Sequence, residues 1–342
     1  MTTPPIAVTV GDPAGIGPEI VARSVADALA DATSRPLVVG DAAAMRRAIA
    51  ACDLDLQVRP VSGIDEAAFT PGTVDVLDLG VSGDDLPWGE VSAIAGRAAL
   101  EAIETATRLA LDGVVSAVVT APINKEAIWA AGSSHLGHTE LLGALTGSDR
   151  SSTMFVVDDL KIFFSTRHMS LREAIEQITA ERVGYAIRES VTALEVIGHD
   201  QPHLAVAALN PHGGEGGSFG REELDAIGPA CEEARAAGLR VSGPVPADSV
   251  FHQGLQGRFD GVLSQFHDQG HIAAKTWDFD TTVSVTTGLP ILRTSVDHGT
   301  AFDIAGTGRA SHSTMRAALD AAARFAPAAP RMREVYGSAA RS

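Results

Sequence analysis

The sequence predicts an α/β protein of two domains, each a largely parallel mixed sheet covered by helices. Three observations lead there. With 342 residues the chain is too long for one ordinary core. Its apolar strands are continuous rather than alternating and are separated by helical runs, as in a parallel sheet covered on both faces. Near residue 158 two strand-like runs almost touch, which demands a hairpin and therefore a mixed sheet.

The elements follow in order. "PIAVTV" (5–10) reads as a buried strand, and "PEIVARSVADALADA" (18–32) as a helix with Pro18 in its first position. "PLVVG" (36–40) is a second strand. A long Ala-rich amphipathic helix (91–113) ends at Gly113, and "VVSAVVTAP" (114–122) is a strand closed by Pro122. "STMFVVDD" and "LKIFFST" form the hairpin, with Asp158 and Asp159 at its turn. "SLREAIEQI" opens with a capping box, Ser170 to Glu173. The alternation resumes with a strand at 203–210, a helix at 221–238 and strands at 261–266 and 282–288. A final amphipathic helix, "SHSTMRAALDAAARFA", is expected to return to the first domain.

Composition narrows the function. Hydrophobic and charged residues stand at 45% and 20%, ordinary for a globular protein. No apolar run approaches the roughly 20 residues of a membrane span, and "MTTPPIAVTV" lacks the marks of a signal peptide, so a cytoplasmic protein is expected. A net charge of −17 opposes nucleic acid and anionic membranes as partners. An anionic substrate would need a local positive site. Cys52 and Cys231 have no CxxC neighbour and read as reduced, buried thiols.

"GDPAGIGPEI" (11–20) places Gly15 and Gly17 where a strand turns into a helix. A dinucleotide fingerprint wants a third glycine where Ile20 stands, and Glu19 would compete with a phosphate for the helix N–H groups. The two readings are a tight turn using glycine for positive φ and a loop approaching substrate or cofactor.

His168, His212 and His267 each follow an apolar strand. Turns at strand carboxyl ends line the crevice of an open α/β sheet. Three imidazoles meeting there would form an open metal site with places for substrate oxygens. A single histidine in such a position is ordinarily a surface or satisfied side chain, and three in equivalent places weaken that reading. "HDQGHIAAK" (267–275) adds Asp268, His271 and Lys275; in a helix, Lys275 lies two turns beyond His267 on roughly the same face. "GHTE" (137–140) offers His138 and Thr139 as donors at a helix start. Arg293, after another strand in "GLPILRTS", suits a phosphate or carboxylate.

Taken in order, "GDPAGIGPE", "TAPINK", "GHTE", "LNPHGGEGG", "FHDQGH" and "GLPILRTSVDHGTAFDIAG" resemble the 4-hydroxythreonine-4-phosphate dehydrogenase family of pyridoxal-phosphate biosynthesis and its catabolic paralogues. The likeness runs from residue 11 to about 308. The two ends also resemble the wider isocitrate and isopropylmalate dehydrogenase superfamily. That resemblance implies an active-site cleft between two α/β/α domains, 1–128 with 302–342 and 129–301, the second carrying the metal ligands and substrate site. It also implies a homodimer with active sites built from both subunits. It places NAD at the late loop, with Gly299, Thr300 and Asp303 as contacts. Metal ligation falls to His168, His212 and His267, and substrate binding to His138, Thr139, Lys275, Ser284 and Arg293. Zinc suits three nitrogens, and magnesium, manganese or cobalt serve where substrate oxygens complete the site.

Three features depart from the family pattern: Ser284 replaces the usual Asn, "KTWDFDTT" is atypical, and His271 stands where an apolar residue is usual. The expected reaction is oxidation of a phosphorylated 3-hydroxy acid by NAD, then decarboxylation of the β-keto acid. The first substrate expected is 4-phosphooxy-L-threonine, giving 3-amino-2-oxopropyl phosphate and CO2. The alternatives are 4-phospho-D-threonate or erythronate, and a non-phosphorylated cis-dihydrodiol of aromatic catabolism. Lys275 would assist proton transfer, with Asp268 a candidate base. A phosphate acyltransferase and a pure binding module are the rivals from other classes; hydride transfer to a dinucleotide separates them.

Overall fold

The computed structural model describes residues 4–337; residues 1–3 and 338–342, the outermost parts of the expected first domain, lie outside the described residues. The chain forms two compact units. One is built from the chain up to Ser151 and again from Val283 onward, the other from Ser152–Thr282.

The first unit begins with β1 (Ile6–Thr9), α1 (Gly17–Ala30), β2 (Pro36–Gly40), α2 (Ala42–Ala51), β3 (Gln57–Val61) and β4 (Thr73–Asp78). It continues with α3 (Ala93–Leu111), β5 (Ala117–Thr120), α4 (Lys125–Ala130) and α5 (His138–Thr146). The strands pair in parallel in the order β3-β4-β2-β1-β5. Every residue of β1, β2 and β5 is buried, which is why their sequences are unbroken apolar runs. The Ser92 hydroxyl caps α3, accepting from Ala95 N at 3.1 Å.

The second unit holds β6 (Ser152–Val157), β7 (Leu160–Phe164), α6 (Leu171–Glu176), α7 (Ala180–Val196) and β8 (Leu204–Ala207). Then come α8 (Gly228–Ala236), β9 (Val241–Val245), α9 (Ala247–Leu255), β10 (Gly261–Ser264) and α10 (His267–Trp277). The strand order is β6-β7-β10-β8-β9. β6 and β7 form the expected hairpin, Val157 opposite Leu160; the other pairs are parallel. The capping box closes as read: Glu173 N donates to Ser170 Oγ, and Ser170 N to the Glu173 carboxylate. The helix expected over 221–238 opens with a π turn at Glu223–Ile227 before α8.

The chain then returns to the first unit. β11 (Val283–Thr287) runs antiparallel to β12 (Arg293–Ser295), and β12 runs parallel to β5. Arg293, expected after a strand, opens one. α11 (Ser313–Phe325) packs on α1, β5 and β12. A turn at Ala326–Ala328, with Pro327 in it, leads to a further helix, α12 (Ala329–Gly337), that the sequence reading did not resolve. Among the described residues no helix is long and apolar enough to cross a membrane. Cys52 and Cys231 are free and buried.

Candidate functional site

The glycine-rich turn does something other than cradle a phosphate. Positive φ falls on Gly11 (73°), whereas Gly15 and Gly17, where it was expected, do not adopt it. Those two are needed for space. A Cβ on Gly17 would lie 2.2 Å from the Val10 carbonyl oxygen, and one on Gly15 would lie 2.9 Å from that of Thr300. Ile16 N donates to Thr300 O at 3.0 Å. Pro18 is the second helical residue, not the first. Glu19 is fully buried, and its carboxylate accepts from Gly306 N (2.5 Å) and Gly308 N (3.0 Å). The start of α1 therefore grips the loop 299–308. Of the three expected dinucleotide contacts on that loop, Thr300 is buried and Gly299 and Asp303 are exposed.

The first unit also contains a cationic cradle. Arg293 is 5% exposed, and its guanidinium donates to two neutral hydroxyls: Nε and Nη2 to Thr120 Oγ1 (3.1 and 2.7 Å), and Nη1 to Thr286 Oγ1 (3.1 Å). Burial pulls its pKa down to about 10. His138, the first residue of α5, has a fully enclosed Nε2 with no hydrogen-bond partner. Burial, then the nearby Arg293 charge, holds its pKa well below the ordinary imidazole value, so the ring is neutral. The first turn of α5 starts from Gly137, with no side chain capping its N–H groups. A buried cation, an imidazole with unmet hydrogen-bonding capacity and open helix N–H groups all suit an anion. Thr139 follows His138 in that turn, and Ser284 is buried on β11, two residues from Thr286.

Asp12 escaped the sequence reading. It is fully buried at the end of β1, with Oδ1 accepting from Ala14 N at 2.8 Å and Oδ2 unpartnered. Burial, partly offset by backbone N–H bonds from Ala14 and Asn124, raises its pKa to about 6.

In the second unit the three histidine-bearing loops leave the carboxyl ends of β7, β10 and β8, which are neighbours in that order. Gln265 and Gln269 tie those ends together. Gln265 Nε2 donates to Ala207 O (2.8 Å), Gln265 Oε1 accepts from Ser165 Oγ (3.1 Å), and Gln269 Nε2 donates to Ala208 O (2.8 Å). Neither glutamine stood out in the sequence, because amides carry no motif of their own.

His168 and His267 have ring centres 5.8 Å apart. Two imidazoles sharing one ion stand roughly 5–6 Å apart, given metal–nitrogen bonds of about 2.1 Å, so the ring spacing alone permits a shared cation. His267 Nδ1 pairs with Asp268 Oδ1 at 2.6 Å, so Nε2 is the ring nitrogen that Asp268 does not engage. His271, one turn on, stacks on the His267 ring at 3.5 Å and bonds its carbonyl through Nδ1 (2.8 Å).

His212 sits on a turn in which residues 212–216 all have positive φ, and its ring lies 6.4 Å from that of Phe219. The Glu223 carboxylate organises that turn, accepting from Leu209 N, Asn210 N and Asn210 Nδ2. Among the described residues no three His, Cys, Asp or Glu side chains gather as a metal-holding group. Lys275 lies on α10 two turns past His267, its Nζ 5.6 Å over the Phe279 ring.

Comparison with known proteins gives a consistent picture. The profile of the family described as "Pyridoxal phosphate biosynthetic protein PdxA" matches residues 32–322. A Cutibacterium acnes protein provisionally named D-threonate 4-phosphate dehydrogenase is 54% identical, over 98% of this chain and 97% of its own. A Symbiobacterium thermophilum protein with the same provisional name is 53% identical, over 97% and 99%. The solved structure of 4-hydroxythreonine-4-phosphate dehydrogenase from Klebsiella pneumoniae superposes with a TM-score of 0.88. It shares 42% identity and covers 94% of this chain and 99% of that one.

Proposed function

The chain belongs to the PdxA family of dehydrogenases, and from that premise we propose that it oxidises D-threonate 4-phosphate with NAD and a divalent cation, releasing CO2. The observation that carries the phosphate end is Arg293, a buried guanidinium held by hydroxyls alone beside the neutral His138. The choice of threonate rests on the provisionally named relatives at 53–54% identity and on Ser284 in place of the family's usual Asn.

In this reading Arg293, His138 and Thr139 hold the phosphate, and Ser284 contacts the carbon chain. Remote binding energy of this kind serves to orient the reacting carbon. His168 and His267, with His212 as the third nitrogen, would hold a divalent cation, which would supply Lewis acidity for ionising the alcohol. Asp268 fixes the ring of His267 and keeps its proton on Nδ1.

Gly299, Thr300 and Asp303 would hold NAD, which would supply the hydride acceptor for oxidation of the 3-hydroxyl carbon as that hydroxyl loses its proton. The resulting 3-keto acid loses CO2, and Lys275 Nζ returns a proton to C2. One alcohol proton is released and one is taken up, so the balance is D-threonate 4-phosphate plus NAD⁺ giving dihydroxyacetone phosphate, CO2 and NADH. A homodimer that completes each site accounts for a single chain gathering two of the three imidazoles. A cytoplasmic location fits the use of NAD.

A second reading, 4-phosphooxy-L-threonine to 3-amino-2-oxopropyl phosphate, is favoured by the Klebsiella pneumoniae structure. Both are tested by following NADH absorbance with D-threonate 4-phosphate, D-erythronate 4-phosphate, 4-phosphooxy-L-threonine and a cis-dihydrodiol, with and without added divalent ions. The highest kcat/KM is expected with D-threonate 4-phosphate, with loss on chelation and on His212→Ala. A best rate with 4-phosphooxy-L-threonine establishes the second reading. A best rate with the unphosphorylated diol refutes the phosphate assignment, and full activity after exhaustive chelation refutes the metal.

A further inference from the structure

We infer that Arg47, layered on Trp88 against the Gly306 turn, takes a phosphate group of the dinucleotide; this rests on the dehydrogenase reading above. The guanidinium of Arg47, on α2, lies 4.3 Å over the Trp88 ring. The late loop meets the same ring: a Cβ on Gly306 would come within 2.6 Å of Trp88, and Gly306 holds φ at 80°. Arg47 and Gly306 thus both meet the Trp88 ring, Gly306 on the loop that carries Gly299, Thr300 and Asp303.

Beside this ring Arg47 Nη1 and Nη2 are enclosed and, among the described residues, have no hydrogen-bond acceptor. Buried charged donors are rarely left unmet in native proteins, because the protein forgoes water without replacing it. Acids elsewhere on these loops accept backbone N–H groups instead. Asp41 accepts from Val81 N and Ser82 N, Asp78 from Ala42 N and Gly80 N, and Glu19 from Gly306 N and Gly308 N. Asp84 acts on Arg47 through charge alone, and burial lowers the arginine pKa. A planar fork with two unmet donors, 4.3 Å over an indole, is matched to the oxygens of a phosphate ester. The dinucleotide offers two such groups: its pyrophosphate and, in NADP, the ribose 2′-phosphate.

The test uses the full-length enzyme with Arg47→Met and, should that variant not fold, Arg47→Lys. Affinities for NAD⁺ and NADP⁺ are measured by calorimetry, alongside the KM for the phosphorylated acid and the Tm of the ligand-free protein. Dinucleotide binding is expected to weaken roughly tenfold or more, the loss of a charge-assisted contact. Ligand-free Tm and the KM for the acid should stay unchanged. Weakening for both dinucleotides assigns the pyrophosphate, and weakening for NADP⁺ alone assigns the 2′-phosphate. Unchanged affinity for both, with or without a fall in Tm, overturns the inference and leaves the dehydrogenase reading intact. A parent enzyme that reduces neither dinucleotide with any acid removes both.

Discussion

Replacing Arg293 with Met separates binding from stability. Burial lowers the arginine pKa from 12.5 to about 10, so the folded state disfavours its charge by about 3 kcal/mol. The sign follows from the group being a base: the penalty is in force at every pH below about 10 and fades as pH rises from there toward 12.5. Met relieves it. Met also removes three hydrogen bonds to Thr120 and Thr286, worth about 1 kcal/mol each. The two changes nearly cancel, so ligand-free stability by urea unfolding should stay within about 1 kcal/mol of the parent. Binding has no such offset. Two charge-assisted bonds to phosphate, at about 1.5–3 kcal/mol each, correspond to a KM increase on the order of 10²–10⁴. The assay is KM for D-threonate 4-phosphate, with the Tm rise produced by inorganic phosphate as a binding readout free of turnover. An unchanged KM, or an equal loss with unphosphorylated D-threonate, refutes the assignment.

Asp12→Asn keeps the acceptor for Ala14 N and removes a buried charge. Because burial raises the folded pKa from 3.8 to about 6, the parent's stability is fullest below about pH 3.8, declines between there and about pH 6, and is level above. The variant should therefore be more stable by up to about 3 kcal/mol at pH 8, with the difference gone at pH 4, read from urea midpoints; a constant difference would exclude titration of Asp12. Glu19→Ala strips the acceptors of Gly306 N and Gly308 N, and should cost about 2–4 kcal/mol and raise the KM for the dinucleotide; an unaffected cofactor KM would show that the loop holds its shape unaided. Gly17→Ala forces a Cβ against the Val10 carbonyl and should cost more than about 3 kcal/mol. Gly63→Ala meets nothing within 4 Å and should be tolerated; equal thermal stabilities would contradict the close approach.

Much of the fold could be read from residue pattern. The buried strands β1, β2 and β5 announced themselves as unbroken apolar runs, the β6–β7 hairpin by the Asp158–Asp159 turn, and α6 by its Ser170–Glu173 box. β12 escaped because it has three residues, and α12 because Pro327 and Pro330 obscure a restart of the helix. In the site, His168, His212 and His267 were conspicuous as imidazoles after strands. Gln265 and Gln269 were invisible, though they bind those strand ends together. Gly15 and Gly17 were seen, but for the wrong property. Positive φ is local and can be guessed, whereas a carbonyl arriving from Thr300 cannot.

The sequence by itself determined the α/β class, the hairpin, the family and a short list of polar residues at loop positions, because strand burial, turns and caps are encoded within a few neighbouring residues. The tertiary structure alone decided what those residues touch. It turned Glu19 toward Gly306 and Gly308, set Arg293 among hydroxyls instead of acids, paired His168 with His267, and laid Arg47 on Trp88. These contacts join positions tens to hundreds of residues apart. Their energies depend on burial and on which donors stay unmet, and both are properties of the packed chain.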